Sequence, residues 1–456
     1  MMFIILLPAL YAARLAWLES PQKALLRVYL PVLLLLPDTF RLVLPGIPKP
    51  NFNQAVAVAI VLAIAARGGF RAWRFAVTDV LVFGFAFVCG YSEYSNTNYA
   101  EAQNLMVNMV GSVVLPYMLG RLLIERFELR VDAAKVIVLC VALATVLSLW
   151  EVRMGVNPWF SWLGLLFPGQ TGWSITFRYG IVRLAGPYGG CILAGMIIVV
   201  AYRLHRWLSC GGHWEPTWQA LPQLPWSKAR VLRVWLVVAS VLTIARGPWV
   251  GAFAGTIPFM IGQARKRTRA LKIVLAAMVI IGIPAGIAFY DYSNVNYMHA
   301  ATASQESAAY RKSLVDKYVT IAVEHSALGW GKNTFPKVPG MPSIDNHFLL
   351  LALMHGLIAL GLLVGAFLWL TARLFRHGMR APETPEGRND FSFTLAGIFI
   401  SIFVSIGTVY LGDQVLPLTF LLFGWSEAFL ARARVPAATP ASTTAAPPPR
   451  FVRVMQ

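Results

Sequence analysis

Apolar residues run along this chain in blocks of roughly 15 to 25, near the length at which a helix crosses about 30 Å of hydrocarbon. The blocks fall at 2–18, 24–44, 53–66, 76–91, 104–125, 133–151, 184–204, 230–246, 248–264, 270–290, 347–374, 391–411 and 414–431. In hydrocarbon every backbone polar group must be satisfied within its own segment, so such blocks form helices. The pattern therefore predicts an all-α fold, a polytopic transmembrane helical bundle of about 12–13 helices. One polar interval is much longer than the rest. Residues 291–346 form a partly helical loop, helical from Gln305 to His325 and irregular over "LGWGKNTFPKVPGMPS". The expected organisation is a transmembrane domain over 1–431 containing this loop, then a tail over 432–456. The tail is rich in Pro, Ala and Thr and is expected to be disordered and cytoplasmic. The apolar N-terminus lacks a basic leader and a small-residue cleavage site, and reads as a retained membrane segment.

Charge gives the bundle a direction. The chain has 39 Lys and Arg against 20 Asp and Glu, a net charge of +19. The cations gather in alternate short loops: Arg67, Arg71 and Arg74; Arg121, Arg126, Arg130 and Lys135; Arg203, Arg206, Lys228, Arg230 and Arg233; Arg265 to Lys272; and Arg373 to Arg388. Basic loops stay in the cytoplasm, so these lie inside and the loop 291–346 lies on the opposite, outward face. The same distribution accounts for the basic balance without a nucleic-acid partner. Charged residues are only 13% and hydrophobic ones 57%, which excludes an ordinary soluble domain with about 25% charged residues. Cys89, Cys140, Cys191 and Cys210 are scattered in or beside apolar segments, with neither metal-ligand spacing nor a disulfide framework. Nothing resembles a P-loop, a dinucleotide fingerprint or an HExxH pair, so no cofactor and no metal are expected.

Basic residues on the outward face need a reason, because the sidedness rule disfavours them there. Arg178 and Arg183 end an aromatic stretch, Arg246 sits in the short turn "TIARGPWVGAFAG", and Arg311 and Lys312 begin the loop helix. A guanidinium offers a planar fork that matches phosphate oxygens. Snorkelling to lipid phosphates is the ordinary alternative. The turn around Arg246 leaves little room for that, and Gly247, Gly251, Ala252 and Gly255 allow close helix packing beside it. Trp159, Phe160, Trp162 and Trp173 suit a segment lying in the membrane interface. Asp345, Asn346 and His347 stand at the mouth of an apolar helix, where a carboxylate or imidazole can act as a general base and Asp or Asn can simply cap. His355 follows two turns later. Glu324 and His325, at the end of the loop helix, fit a solvated face and a dipole partner as readily as chemistry.

These elements together resemble the O-antigen ligase and O-antigen polymerase superfamily. The resemblance rests on "RLAGPYGG" (Arg183, Gly186), on "TIARGPWVGAFAG", on a loop helix beginning at Arg311 and continuing "VEHSALGWGKNTF", and on "IDNHFLLLALMHGLIALG". It covers about residues 180–365. Ala245 stands where the family has Ser, Ser326 where it often has Pro, and Asp345-Asn346-His347 where the ligases have His-Asn. The resemblance implies transfer of a glycan from an undecaprenyl-diphosphate carrier to a sugar hydroxyl of a glycan or lipid A-core acceptor, usually without a metal. It implies that Arg178, Arg183, Arg246 and Arg311 hold the diphosphate, that the base is Asp345 or His347 beside Asn346, and that the aromatic stretch 157–175 suits the polyprenyl chain. A flippase for lipid-linked sugar is the alternative. It would show two-fold repetition and broken helices, and neither is visible in the sequence. A structural partner in an envelope complex is a third reading, and it needs no intact arginine set.

Overall fold

The computed structural model describes residues 2–44, 48–170, 174–217, 226–341, 343–382 and 384–433. The chain runs through α1 (Met2–Leu18), α2 (21–35), α3 (Phe52–Ala66), α4 (Val77–Asn96), α5 (Tyr99–Ile124) and α6 (Arg130–Met154). A short α7 (Pro158–Gly164) and a hairpin of β1 (Phe177–Arg178) and β2 (Ile181–Val182) follow. Then come α8 (Cys191–Cys210), α9 (Lys228–Leu242), α10 (Arg246–Gln263), α11 (Arg267–Ser293), α12 (Ala303–Glu324), α13 (His347–Arg380), α14 (Phe391–Ile406) and α15 (Val415–Arg432). Among the described residues six helices are long and apolar enough to cross a membrane: α5, α6, α8, α11, α13 and α15. The protein is an all-α, multi-pass membrane protein.

Every apolar block is at least partly helical, and three end short for local reasons. The second block stops at Leu35 because Pro37 forces Leu36 into extended backbone, at φ −111° and ψ 138°. The block from 184 becomes helical only at Cys191, because Gly186 and Gly189 take positive φ of 60° and 69° around Pro187. The block from 391 ends its helix at Ile406. Prolines inside spans are handled differently. The widened turns Leu25–Tyr29, Val110–Val114 and Met278–Gly282 each directly precede a Leu-Pro or Ile-Pro pair. A proline lacks an N–H and its ring crowds the preceding turn, and the wider turn accommodates both.

Close helix crossings use glycine as the spacing predicts. A Cβ on Gly255 would lie 2.2 Å from the Gly397 carbonyl, and one on Gly251 would lie 2.4 Å from that of Ser401, so α10 packs backbone to backbone on α14. α5 and α15 cross in the same way, since a Cβ on Gly424 would lie 2.0 Å from Tyr117 O. Three cations assigned to basic loops have structural partners instead. Arg121 pairs with buried Asp79 at 2.9 Å. Arg203 lies within α8 and donates to Thr256 Oγ1 at 2.6 Å and to Ala252 O. Arg267 is 2% exposed and donates to the carbonyls of Gly262, Gly378, Ala381, Pro382 and Gly387. It caps the basic ends of three segments at once.

The long loop 291–346 is built on α13. Leu314, Tyr318 and Ala322 of α12 pack on Leu349, Ala352 and Leu353. Contrary to the sequence reading, α13 is a broken helix. Gly356 takes φ 77°, ψ 177° inside it. The segment 326–331 fills the break: Leu357 N donates to Ser326 O at 2.7 Å, Trp330 N to Leu353 O at 2.8 Å and Gly331 N to Met354 O at 2.9 Å. Leu357 N and the carbonyls of Leu353 and Met354 thus find their partners in this segment. The aromatic stretch also departs from expectation. Trp159 and Phe160 are buried, Trp159 Nε1 donating to Leu35 O at 2.7 Å and Phe160 lying 5.6 Å from Phe40, while Trp162 is exposed. Trp173 and the tail beyond 433 lie outside the described residues.

Candidate functional site

A hairpin with a two-residue turn carries the first arginines. Tyr179 and Gly180 both have positive φ, 55° and 74°, the type I′ geometry that matches strand twist. Arg178 sits on β1, and Arg183 follows β2 with its N–H on Thr176 O at 3.0 Å. The turn between α9 and α10 receives both side chains. Arg178 Nη1 donates to Ile244 O at 3.2 Å, and Arg183 donates to Thr243 O at 3.0 Å and to Ile244 O at 3.2 Å. Ile244 has φ 45°, a strained conformation for a β-branched residue, and the strain aims its carbonyl at two guanidiniums.

Arg246 opens α10 and reaches across, donating to Tyr179 OH at 2.7 Å and to Ser304 Oγ at 3.0 Å. Arg311 enters from α12. Burial pushes its guanidinium below the usual pKa; Asp345 opposes that shift, and Arg178 and Arg246 add to it. Burial likewise lowers Arg183, with Cys191 opposing and Arg178 adding. The four arginines line one space.

That space is a cavity of about 960 Å³. Its polar mouth holds Arg178, Arg183, Arg246, Arg311, Lys312, Asp316 and Asp345, and its apolar wall holds Ile192, Val250, Phe289 and Val404. Lys312 is taken up by Asp316 at 2.9 Å. Among the described residues no carboxylate lies within 4.0 Å of any of the four arginines. Concentrated positive charge lined by neutral acceptors attracts an anion with several oxygens. The apolar wall comes partly from α11, whose apolar length is exposed.

The other candidates separate. Asp345 lines the cavity. Asn346 caps α13, accepting from Leu349 N at 3.2 Å. His347 is buried, is absent from the cavity lining, and has no hydrogen-bond partner on either ring nitrogen. His355 lies at the helix break, 3.2 Å from Ser92 Oγ. The His325 ring lies tilted against Trp330, centroids 3.7 Å apart, and neither it nor Glu324 reaches the cavity. The sequence reading missed Tyr179 and Ser304. Only the "RYG" turn hinted at the former. A further polar group lies in the 36–53 region, where Asp38 Oδ1 accepts from Asn51 at 2.5 Å and Asn53 at 3.3 Å and Arg41 lies at 3.9 Å. Burial, then Asp413, raise the Asp38 carboxyl to about 6. Among the described residues no three His, Cys, Asp or Glu side chains are placed to share a metal ion.

Residues 231–364 match the family described as O-antigen ligase. The match spans Arg246, Arg311 and Asp345 and starts after Arg178 and Arg183. No curated protein matches the chain. Residues 231–364 of this multi-pass membrane protein, less than a third of the chain, are thus similar to the O-antigen ligase family.

Proposed function

We propose that the chain is a membrane glycosyltransferase of surface-polysaccharide assembly, acting as polymerase or ligase at the periplasmic face of a bacterial inner membrane. It moves an oligosaccharide from an undecaprenyl-diphosphate carrier to a sugar hydroxyl on a glycan or lipid A-core acceptor. One observation carries this reading: four arginines, with no carboxylate within 4.0 Å among the described residues, surround one cavity that also holds Asp345 and an apolar wall. A diphosphate attached to a long hydrocarbon chain has matching chemistry.

In the step itself the acceptor oxygen attacks the anomeric carbon. The bond from that carbon to the diphosphate oxygen breaks, and its electron pair leaves on the diphosphate. The hydroxyl proton passes to the Asp345 carboxylate, the carboxylate among the cavity's outward groups that has no ion-pair partner within 4.0 Å. Guanidiniums fixed on Thr243 O, Ile244 O, Tyr179 and Ser304 stabilise the charge growing on the leaving group without reorganising. Phe289, Val250 and Ile192 suit the first isoprenes, in place of the buried Trp159 and Phe160.

Proteoliposomes loaded with lipid-linked repeat units test the proposal. A ladder of products without added acceptor identifies a polymerase, and product formed only with a core-lipid acceptor identifies a ligase. Movement of carrier across the bilayer with no glycosidic product would refute the proposal in favour of a flippase.

A further inference from the structure

The arginine cavity is held from behind by a buried carboxylate that belongs to none of the motifs. Glu151, near the end of α6, is fully buried. Its Oε2 accepts from Gly186 N at 2.7 Å and from Ala185 N at 3.2 Å. The side-chain amide of Asn157 donates to Gly186 O at 2.8 Å, so the backbone of Gly186 is held at both its N–H and its carbonyl. Gly186 has φ 60°, and a Cβ there would lie 2.5 Å from Ser148 Oγ. On the other side, Leu184 N donates to Leu242 O at 3.1 Å. Arg183 therefore leaves a segment pinned between the α9–α10 turn and Glu151.

Such a pin has a physical reason. Arg178 and Arg183 donate to the same Ile244 carbonyl, and like charges this close repel. Without a hold on its backbone, Arg183 would relax away from its neighbours towards solvent. Charge-assisted hydrogen bonds from two consecutive N–H groups to a dry carboxylate form a strong anchor, placed three residues from the guanidinium that needs it. A carboxylate in direct contact with Arg183 would neutralise the charge. One acting through the backbone positions it and leaves the charge free for a ligand.

We infer that Glu151 is a positioning residue for Arg183, assisted by Asn157, and that it sets the affinity of the cavity for a diphosphate. The inference rests on the diphosphate reading above. Farnesyl diphosphate binding to the full chain in detergent, measured by calorimetry, tests it in a double-mutant cycle. Glu151→Gln keeps the shape and removes the charge. It is expected to weaken binding roughly tenfold, equivalent to about 1.4 kcal/mol. In an Arg183→Ala background the same change is expected to cost less than about twofold, and in an Arg246→Ala background it keeps its full effect. A merely structural glutamate would weaken binding equally in both backgrounds, and that result, or wild-type affinity in Glu151→Gln, overturns the inference. Asn157→Ala is the second variant, with the same expected dependence on Arg183, and serves if Glu151→Gln does not fold; equal loss in both backgrounds overturns the inference there too. Failure of the unaltered chain to bind farnesyl diphosphate would overturn the diphosphate reading itself, and is distinct from failure of Glu151 alone.

Discussion

Replacing Gly356 with alanine tests how the outward loop is locked to the membrane helix. At φ 77°, ψ 177° the backbone is in a region open almost only to glycine, and an L-residue there costs of order 1–3 kcal/mol. The added Cβ would also lie 2.1 Å from Ala327 O and 2.6 Å from Leu328 N. These are backbone atoms that cannot swing aside, so the segment 326–331 must move. Moving it breaks the bonds from Leu357 N, Trp330 N and Gly331 N, each worth about 0.5–1.5 kcal/mol net. The total cost is on the order of 3–7 kcal/mol, enough to detach the loop while the bundle stays folded. Hydrogen exchange on peptides spanning 326–331 and 353–357 is expected to accelerate strongly, with a melting temperature lower by roughly 10 °C. Gly361→Ala is the internal control. It lies five residues on in the same helix with nothing within 4 Å of its added Cβ, and should be neutral or stabilising by about 0.5–1 kcal/mol. Unchanged exchange and melting in Gly356→Ala would refute the lock.

Other outcomes follow from particular groups. Arg267→Met leaves five carbonyls without their donor, and should destabilise by about 3–5 kcal/mol in thermal melts while leaving farnesyl diphosphate affinity of the folded fraction intact. The folded Asp38 carboxyl, raised to about 6, holds its proton more tightly than the unfolded group near 3.9. Its contribution is thus full below about pH 4 and is lost as pH rises through about 6, on the order of 3 kcal/mol. Asp38→Asn should flatten that part of the pH–stability curve. Asp345→Asn should lower the transfer rate by about 10²–10⁴ with little change in donor binding, and His347→Ala, remote from the cavity lining, should act on stability more than on rate. The reverse ranking in a single-turnover assay would move the base to His347.

The membrane helices were legible because hydrocarbon leaves the backbone no other option, and the helix positions follow directly from apolar length. Their ends were less so, since single residues set them: Pro37 at one helix, Gly186 and Gly189 at another. The four arginines that line one cavity were singled out by a charge argument that needs no coordinates. Side-chain destinations were not. Arg203 and Arg267 read as loop cations in sequence, yet both satisfy carbonyls of distant segments. Trp159 and Phe160 read as interfacial but pack against Leu35 and Phe40. The break in α13 was hidden because its cause is tertiary: Gly356 matters only through Ala327, 29 residues earlier in the chain. Glu151 was invisible for the same reason, since its partners Ala185 and Gly186 lie 34 and 35 residues away.

The central claim is that the arginine cavity activates a diphosphate leaving group for transfer of its glycan. Release of undecaprenyl diphosphate from a lipid-linked repeat unit, followed in proteoliposomes under single turnover, tests it most directly. The unaltered chain should release carrier in step with formation of a new glycosidic bond. Arg246→Ala, with a melting temperature near that of the unaltered chain, should slow both by about 10²–10³. Equal rates of release and bond formation in the two proteins would contradict the account.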